Sequence, residues 1–252
     1  MESSSSRPSV SFIVLALNEQ ERIETTVATV LQAIGQSSIS DYEVVLVDDG
    51  STDETGKIVD RLAAEKSKIR ALHNERNIGI GATFKRGAAV AKCDYVMPVA
   101  GDNAASADSI RATIENAGVA DIILPYPANS DGRPLLRRGG ARAFTTLMNS
   151  LFGLKIRYYN GPVIRTGLLQ QLETITDGYA MFSEIVIRLI GAGHSYHQIA
   201  VWQTPTTTTH SSALKPRNLR EVLRTVTTLY RELHRAKQSQ PRADLAKHDA
   251  GK

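Results

Sequence analysis

The sequence predicts an α/β protein, a mostly parallel central sheet covered by helices on both faces. Three observations predict it. Apolar runs rich in β-branched residues recur along the first half of the chain. Segments of helical periodicity separate them, and each run stops abruptly at a polar or glycine-containing turn. Short connections in such an alternation mean parallel strands with crossover helices.

The first run, 11–17, is broken by Asn18-Glu19-Gln20-Glu21, and a helical pattern follows through Ile23, Val27, Val30, Leu31 and Ile34. The second run ends in Asp48-Asp49-Gly50, after which Ser51-Thr52-Asp53-Glu54 offers cap and first-turn chemistry for a helix. A short strand over 69–72 leads into the glycine-rich loop Asn77-Ile78-Gly79-Ile80-Gly81 and a helical stretch over 82–91. The fourth strand, 95–99, ends at Gly101-Asp102-Asn103, and a helix over 107–117 and a strand over 122–124 complete the alternation. The remainder is less regular. A polar loop spans 129–134, helices are expected over 141–152 and around 187–190, and a strand near 196–202. Residues 206–212 are a Ser/Thr tract expected to be mobile. A basic helix over 218–237 places Leu219, Val222, Leu223, Val226, Leu229, Tyr230 and Leu233 at helical spacing. Polar tails, 1–8 and 238–252, are expected to be disordered.

Composition narrows the function classes. The single cysteine, Cys93, excludes an intramolecular disulfide and a cysteine-based metal cluster, and it suits a reducing cytosol. No apolar run approaches the roughly 20 residues of a membrane span. The serine-rich start lacks the apolar core of a signal peptide. A cytoplasmic chain, at most peripheral at the inner membrane surface, is the expectation. The net charge of +4 has much of its excess in the last third, at Arg217, Arg220, Arg224, Arg231, Arg235 and Lys237. That suits a phosphate-bearing substrate or an anionic membrane surface. No glycine-rich Lys/Arg phosphate loop follows the first strand, which argues against a nucleotidyltransferase.

Two adjacent carboxylates, Asp48 and Asp49, at the carboxyl end of a buried strand lie where open α/β sheets bind ligands. Such a pair is costly unless solvated, hydrogen-bonded or near a cation. Capping the next helix accounts for one carboxylate, not both. Binding a nucleotide with a divalent metal nearby accounts for the pair. The loop around Gly79 and Gly81, with Arg76, Asn77 and Lys85, could lay backbone N–H groups and positive charge beside a diphosphate. Gly-x-Gly before a helix is also plain turn chemistry. Gly87, on the following helix, reads as a close-packing residue, and Cys93 and Trp202 read as packing residues too. His73, His194 and His197 have no partner pattern that identifies a site.

Four segments in order, 13–23, 44–53, 77–91 and 95–103, resemble the family 2 glycosyltransferases. The likeness is good over about 9–107 and weaker over 158–223, where 178–184 and 215 onward resemble the polyprenyl-phosphate sugar synthase branch. The resemblance implies a GT-A (Rossmann-like nucleotide-diphospho-sugar transferase) fold. It also implies a single domain over 9–237, with a nucleotide-sugar half, 9–125, and an acceptor half with the C-terminal helix, 126–237. It implies sugar transfer from a nucleoside-diphosphate-sugar, with inversion and with Mg²⁺ or Mn²⁺. One of Asp48 and Asp49 would hold the base or ribose, the other lying near the diphosphate and metal. Ala16, Asn18 and Glu19 would line the base and ribose pocket, and Asn77, Gly79, Lys85, Gly101 and Asn103 the rest of the donor site. Asp102 would ligate the metal. The family's Asp-x-Asp reads Ala100-Gly101-Asp102 here, so the first carboxylate is absent and the need for metal is open. Glu184 or Asp177 would take the proton of a hydroxyl acceptor, and for a phosphate acceptor Glu184 would orient the sugar instead. The branch's arginine is replaced within Thr206-Thr207-Thr208-Thr209-His210, while Lys215 and Arg217 would meet phosphate. Two acceptors stay open: a polyprenyl phosphate, with peripheral membrane contact, or a soluble hydroxyl-bearing molecule. A non-catalytic nucleotide-sugar-binding protein is the alternative outside catalysis. No nucleic-acid partner is expected.

Overall fold

The computed structural model describes residues 7–129, 135–159, 161–178, 180–202 and 216–239. Elements follow in chain order: β1 (Val10–Ala16), α1 (Ile23–Gly35), β2 (Tyr42–Asp48), α2 (Thr55–Glu65), β3 (Ile69–His73), α3 (Ile80–Ala89), β4 (Tyr95–Ala100) and α4 (Ala107–Ile114). After these come β5 (Ile122–Pro127), α5 (Leu135–Phe152), β6 (Val163–Arg165), α6 (Thr166–Gln170), α7 (Met181–Gly191), β7 (Tyr196–Val201) and α8 (Pro216–Ser239). The strands form one sheet in the order β3-β2-β1-β4-β6-β5-β7. β1 through β4 are mutually parallel, β7 runs parallel to β5, and β6 is antiparallel to both neighbours.

Period-two alternation builds two cores, one on each face. Val10, Phe12 and Val14 of β1 join Val44 and Leu46 of β2 against α1, α2 and α4. Ile13, Val45 and Val47 point the other way, against Phe84 and Ala88 of α3, Met148 of α5, and much of α7 and α8. With both faces covered, β2 reads as an unbroken apolar run. Gly87 is required by this packing: a Cβ there would overlap Ile13 and press on Val47, so only glycine lets α3 lie this close.

The first half matches expectation to within a few residues per element. In the second half β6 and α6 were not anticipated, because three and five residues are too short to show a period. α7 is longer than the segment expected around 187–190. Met181 through Ile187 are all buried, so the helix lacks the polar face that announces a boundary. α5 begins before the expected start at 141, through Arg137-Arg138-Gly139-Gly140, where the glycine pair disfavours helix and hides it from a propensity reading. Trp202, expected to pack, is 70% exposed. The tract 206–212, Lys215, His210, Asn160, the loop 129–134 beyond Asn129, and most of both tails lie outside the described residues.

Candidate functional site

The chain crosses from β3 to β4 over β1, so the strand order reverses between β1 and β4, and the carboxyl edge there is the crevice where such sheets take ligands. Register sets the row: Ala16 lies beside Asp48, and Leu15 beside Ala100. Three turns leave this edge, after β1, β2 and β4.

The first two turns are knitted together by side-chain to backbone bonds. Asn18, in the left-handed region at φ +55°, receives the Thr52 N–H on Oδ1 at 2.8 Å, and its own N–H donates to Ser51 Oγ at 2.9 Å. The Glu19 N–H donates to Thr55 Oγ1 at 2.8 Å, and Asp53 accepts from the N–H of Gln20 and of Thr55. The Asp49 N–H donates to Ala16 O at 2.8 Å. Glu19 is paired to Arg22 at 2.7 Å. That hydrogen bond, and after it the Glu19 charge, hold the Arg22 guanidinium's pKa above its ordinary value, with Asp102 adding to the effect.

Asp48 and Asp49 are both 5% exposed, and the structure places their carboxylates inward. Asp48 Oδ1 accepts the Ser51 N–H at 3.0 Å and Oδ2 faces His73 Nδ1 at 3.2 Å. Asp49 accepts from Asn74 Nδ2 at 2.8 Å, the Ile78 N–H at 2.9 Å and the Gly79 N–H at 3.1 Å. The cost of burying two adjacent carboxylates is thus offset by protein donors. This corrects the expectation for the glycine-rich loop: its N–H groups at 78 and 79 hold Asp49 rather than facing outward. Gly79 sits at φ +94°, a conformation glycine tolerates, and Asn77 Oδ1 accepts the same Gly79 N–H at 3.0 Å. Gly50, at φ +70°, lets the β2 turn meet the Arg76 backbone, where a Cβ would come within 2.5 Å. The Arg76 side chain is exposed and has no ion-pair partner among the described residues.

The third turn is pinned from below. The Gly101 N–H donates to Leu15 O at 2.8 Å, and Thr26 Oγ1 of α1 donates to Gly101 O at 2.8 Å. Asp102 Oδ1 accepts the Ala104 N–H at 3.1 Å, and its other oxygen has no hydrogen-bond partner among the described residues. Asn103 is at φ +55°, and its Oδ1 is buried without a partner among the described residues. One carboxylate and one unsatisfied amide oxygen make a hard-oxygen pair suited to Mg²⁺ or Mn²⁺. Among the described residues no group of three or more His, Cys, Asp or Glu gathers, so water or ligand oxygens would supply the rest of the shell.

The segment around 177 packs on the start of α3. The Ala82 N–H donates to Asp177 O, and a Cβ on Gly81 would overlap the Asp177 backbone. Lys85 Nζ meets Asp177 Oδ1 at 2.7 Å, the lysine half-buried and the aspartate exposed. Lys85, Gly79 and Asp177 therefore sit together. Glu184 does not join them. Its side chain is fully buried: Oε1 accepts from the Ile175 N–H and Arg188 Nε, each at 2.7 Å, and Oε2 from the Thr176 N–H at 3.0 Å. With both oxygens occupied and no exposure, Glu184 fixes the segment before Asp177, and neither a base nor a sugar-orienting role fits its position. Gly178 lies against Glu221 of α8, where a Cβ would clash with the carboxylate, and Thr176 Oγ1 donates to Glu221 Oε1 at 2.7 Å.

Sequence reasoning missed Thr26, Arg22, His73 and Asn74. Asn74, 4% exposed, bridges Asp49 to Thr83 Oγ1 and is itself held by Arg86. Only its place, between the β3 run and the glycine loop, could have signalled it.

Comparison with known proteins agrees with this architecture. A model of glycosyl transferase family 2 matches residues 11–175. Glycosyltransferase AglD of Haloferax volcanii is 29% identical over 175 residues, covering 69% of this chain and 26% of that protein. A dolichyl-phosphate beta-glucosyltransferase of Dictyostelium discoideum is 34% identical over 101 residues, covering 38% of this chain and 31% of that one. The chain thus spans about a quarter to a third of the length of these curated relatives. Glucosyl-3-phosphoglycerate synthase of Mycobacterium tuberculosis, solved with Mn²⁺, UDP-glucose and phosphoglyceric acid, superposes at a TM-score of 0.66 with 16% identity, covering 88% of this chain and 80% of that one. That likeness establishes the GT-A fold. With the family model spanning the whole carboxyl edge just described, the chain belongs to glycosyl transferase family 2.

Proposed function

We propose that the chain transfers a sugar from a nucleoside-diphosphate-sugar to an acceptor oxygen, by direct displacement with inversion. The observation that carries the reading is the convergence at the β1/β4 crevice of the Ala16–Glu19 turn, the Asp48-Asp49 turn and Asp102 with an uncommitted carboxylate oxygen. The base and ribose would lie against Ala16, Asn18 and Glu19, with Asp48 and Asp49 shaping the pocket wall from behind. The diphosphate would reach Asp102, Gly101 and Asn103 on one side, and Arg76 and Lys85 on the other. Asp102 and Asn103 would hold Mg²⁺ or Mn²⁺, which supplies Lewis-acid stabilisation of the departing diphosphate. Structures of glucosyl-3-phosphoglycerate synthase with UDP and Mn²⁺ or Mg²⁺ support that use. The acceptor oxygen bonds to the anomeric carbon from the face opposite the diphosphate, whose bond to that carbon breaks.

A polyprenyl phosphate is the acceptor we favour. It is already an anion and needs no base, which accords with Glu184 being committed elsewhere. The Dictyostelium relative, a dolichyl-phosphate beta-glucosyltransferase, supports it, as does α8. The exposed stripe of α8 carries Arg220, Leu223, Arg224 and Arg231, while its carboxylates turn aside, Glu221 to Thr176 and Glu232 to Arg188. Such a stripe suits an anionic membrane surface. No described helix is long and apolar enough to cross a membrane. A soluble hydroxyl acceptor is the second reading, favoured by Asp177, whose exposed carboxylate beside Lys85 could take a proton. A test is incubation of native protein and Mn²⁺ with UDP-, GDP-, dTDP- and CDP-sugars and dolichyl phosphate in anionic vesicles. A glycosyl-phosphate lipid by mass spectrometry is the expected product. Glycosylation of added phosphoglycerate or sugar alcohols, with the lipid untouched, would replace the first acceptor by the second.

A further inference from the structure

We propose that His73 is a positioning residue for Asp48 in the donor site, itself held from behind by Asp60. The assignment rests on the donor reading above. His73 is the last residue of β3 and the register partner of Asp48 at the end of β2. Its ring spans two carboxylates: Nδ1 lies 3.2 Å from Asp48 Oδ2 and Nε2 lies 2.9 Å from Asp60 Oδ1 of α2. Carboxylate oxygens only accept, so both contacts are hydrogen bonds only when the ring carries both protons. The imidazolium then donates in two directions and sets a positive charge beside a carboxylate that is 5% exposed.

The neighbours fix this geometry. From α2, Gly56 approaches so closely that a Cβ would sit 3.1 Å from Asp48 Oδ2 and 3.8 Å from the ring. From α3, Arg86 Nη1 donates to the His73 carbonyl at 2.6 Å. The Asn74 N–H donates to Asp48 O at 2.8 Å, so backbone and side chain of Asp48 are tied to the same strand end. The charged groups facing His73 are thus Asp48, Asp60 and Arg86, the last through the backbone. With Ser51 N–H on Oδ1 and His73 on Oδ2, Asp48 has one donor on each oxygen. Without His73 the carboxylate keeps one and can rotate.

Burial alone would depress the ring's pKa, yet the bonds to Asp60 and Asp48 outweigh it and raise the value. The sign follows: the clamp is complete below the ordinary histidine pKa of about 6.5 and is lost as pH rises through the raised value. Nucleotide affinity should follow the clamp.

The experiment is calorimetric titration of UDP, GDP, dTDP and CDP with Mn²⁺ from about pH 5.5 to 9, the range in which histidine titrates. Native protein is compared with His73→Ala, His73→Gln and Asp60→Asn. For the nucleotide that native protein binds, His73→Ala is expected to weaken binding about tenfold at low pH and to flatten the profile. His73→Gln, which still offers one amide donor, should recover part of the affinity. Asp60→Asn, an exposed change remote from the nucleotide, should move the native pH midpoint downward and serves if His73→Ala does not fold. Affinity and profile unchanged in folded His73→Ala, or a midpoint unmoved in Asp60→Asn, would overturn the assignment while leaving the donor site standing. Failure of native protein to bind any of the four nucleotides would instead bring down the donor reading, and this assignment with it.

Discussion

Replacing Asp102 by Asn is expected to lower sugar transfer by about 10²–10³-fold, the usual cost of losing one group aimed at developing charge. The substitution keeps the shape, and Oδ1 can still accept the Ala104 N–H. The turn around it is pinned by Leu15 and Thr26 through Gly101, so the backbone has no reason to move. What is lost is the negative charge that would hold a cation, in a turn that reads Ala100-Gly101-Asp102 and so offers one carboxylate. The neighbouring carboxylates are committed elsewhere, Glu19 to Arg22, Asp48 to Ser51 and His73, and Asp49 to Asn74 and the loop N–H groups, so the loss should fall on kcat and on any metal-dependent part of nucleotide binding. Stability should change by no more than about 0.5 kcal/mol, as for a surface substitution. Steady-state kinetics with thermal unfolding on the same preparation checks both halves. A variant with near-native turnover would mean that Asp102 does not hold the metal.

Glu184→Ala should do the opposite. It removes a fully buried carboxylate that satisfies two backbone N–H groups and Arg188. Breaking a buried charge pair from one side costs about 3–5 kcal/mol. Arg188, 18% exposed, keeps Glu232, which places the expected loss near the lower bound, about 3 kcal/mol. For a chain of this length that is a fall of about 6–12 °C in Tm. Turnover per folded molecule should stay within a few-fold of native at permissive temperature. A general base at this position would instead cost about 10²–10⁴ in rate with little change in Tm. The two outcomes separate the roles.

The contrast between these residues shows what was legible in the sequence. Strand ends and turns were readable, because an apolar run that closes on Asp48-Asp49-Gly50 or Gly101-Asp102-Asn103 marks the point where a buried parallel strand meets solvent. Which way a carboxylate points was not. Asp48 and Asp49 stood at the right edge, but their donors, Asn74, His73 and the N–H groups of Ile78 and Gly79, arrive from about 25 to 30 residues away and are set by tertiary packing. Glu184 shares a helix whose first seven residues are all buried, so no periodicity could announce that it faces inward. β6, three residues long and reversed against its neighbours, belongs to the part of the sheet where local pattern carries least information.

Binding of a nucleoside diphosphate with a divalent ion in the β1/β4 crevice is the proposal on which every other role depends. Thermal unfolding with UDP, GDP, dTDP and CDP, each with and without Mn²⁺, tests it most directly. A nucleotide at about 100 times its dissociation constant should add roughly 2.7 kcal/mol, a rise of about 5–10 °C in a chain of this size. The expected result is such a rise with one nucleotide, dependent on Mn²⁺ and lost in Asp102→Asn. A flat response to all four would contradict it.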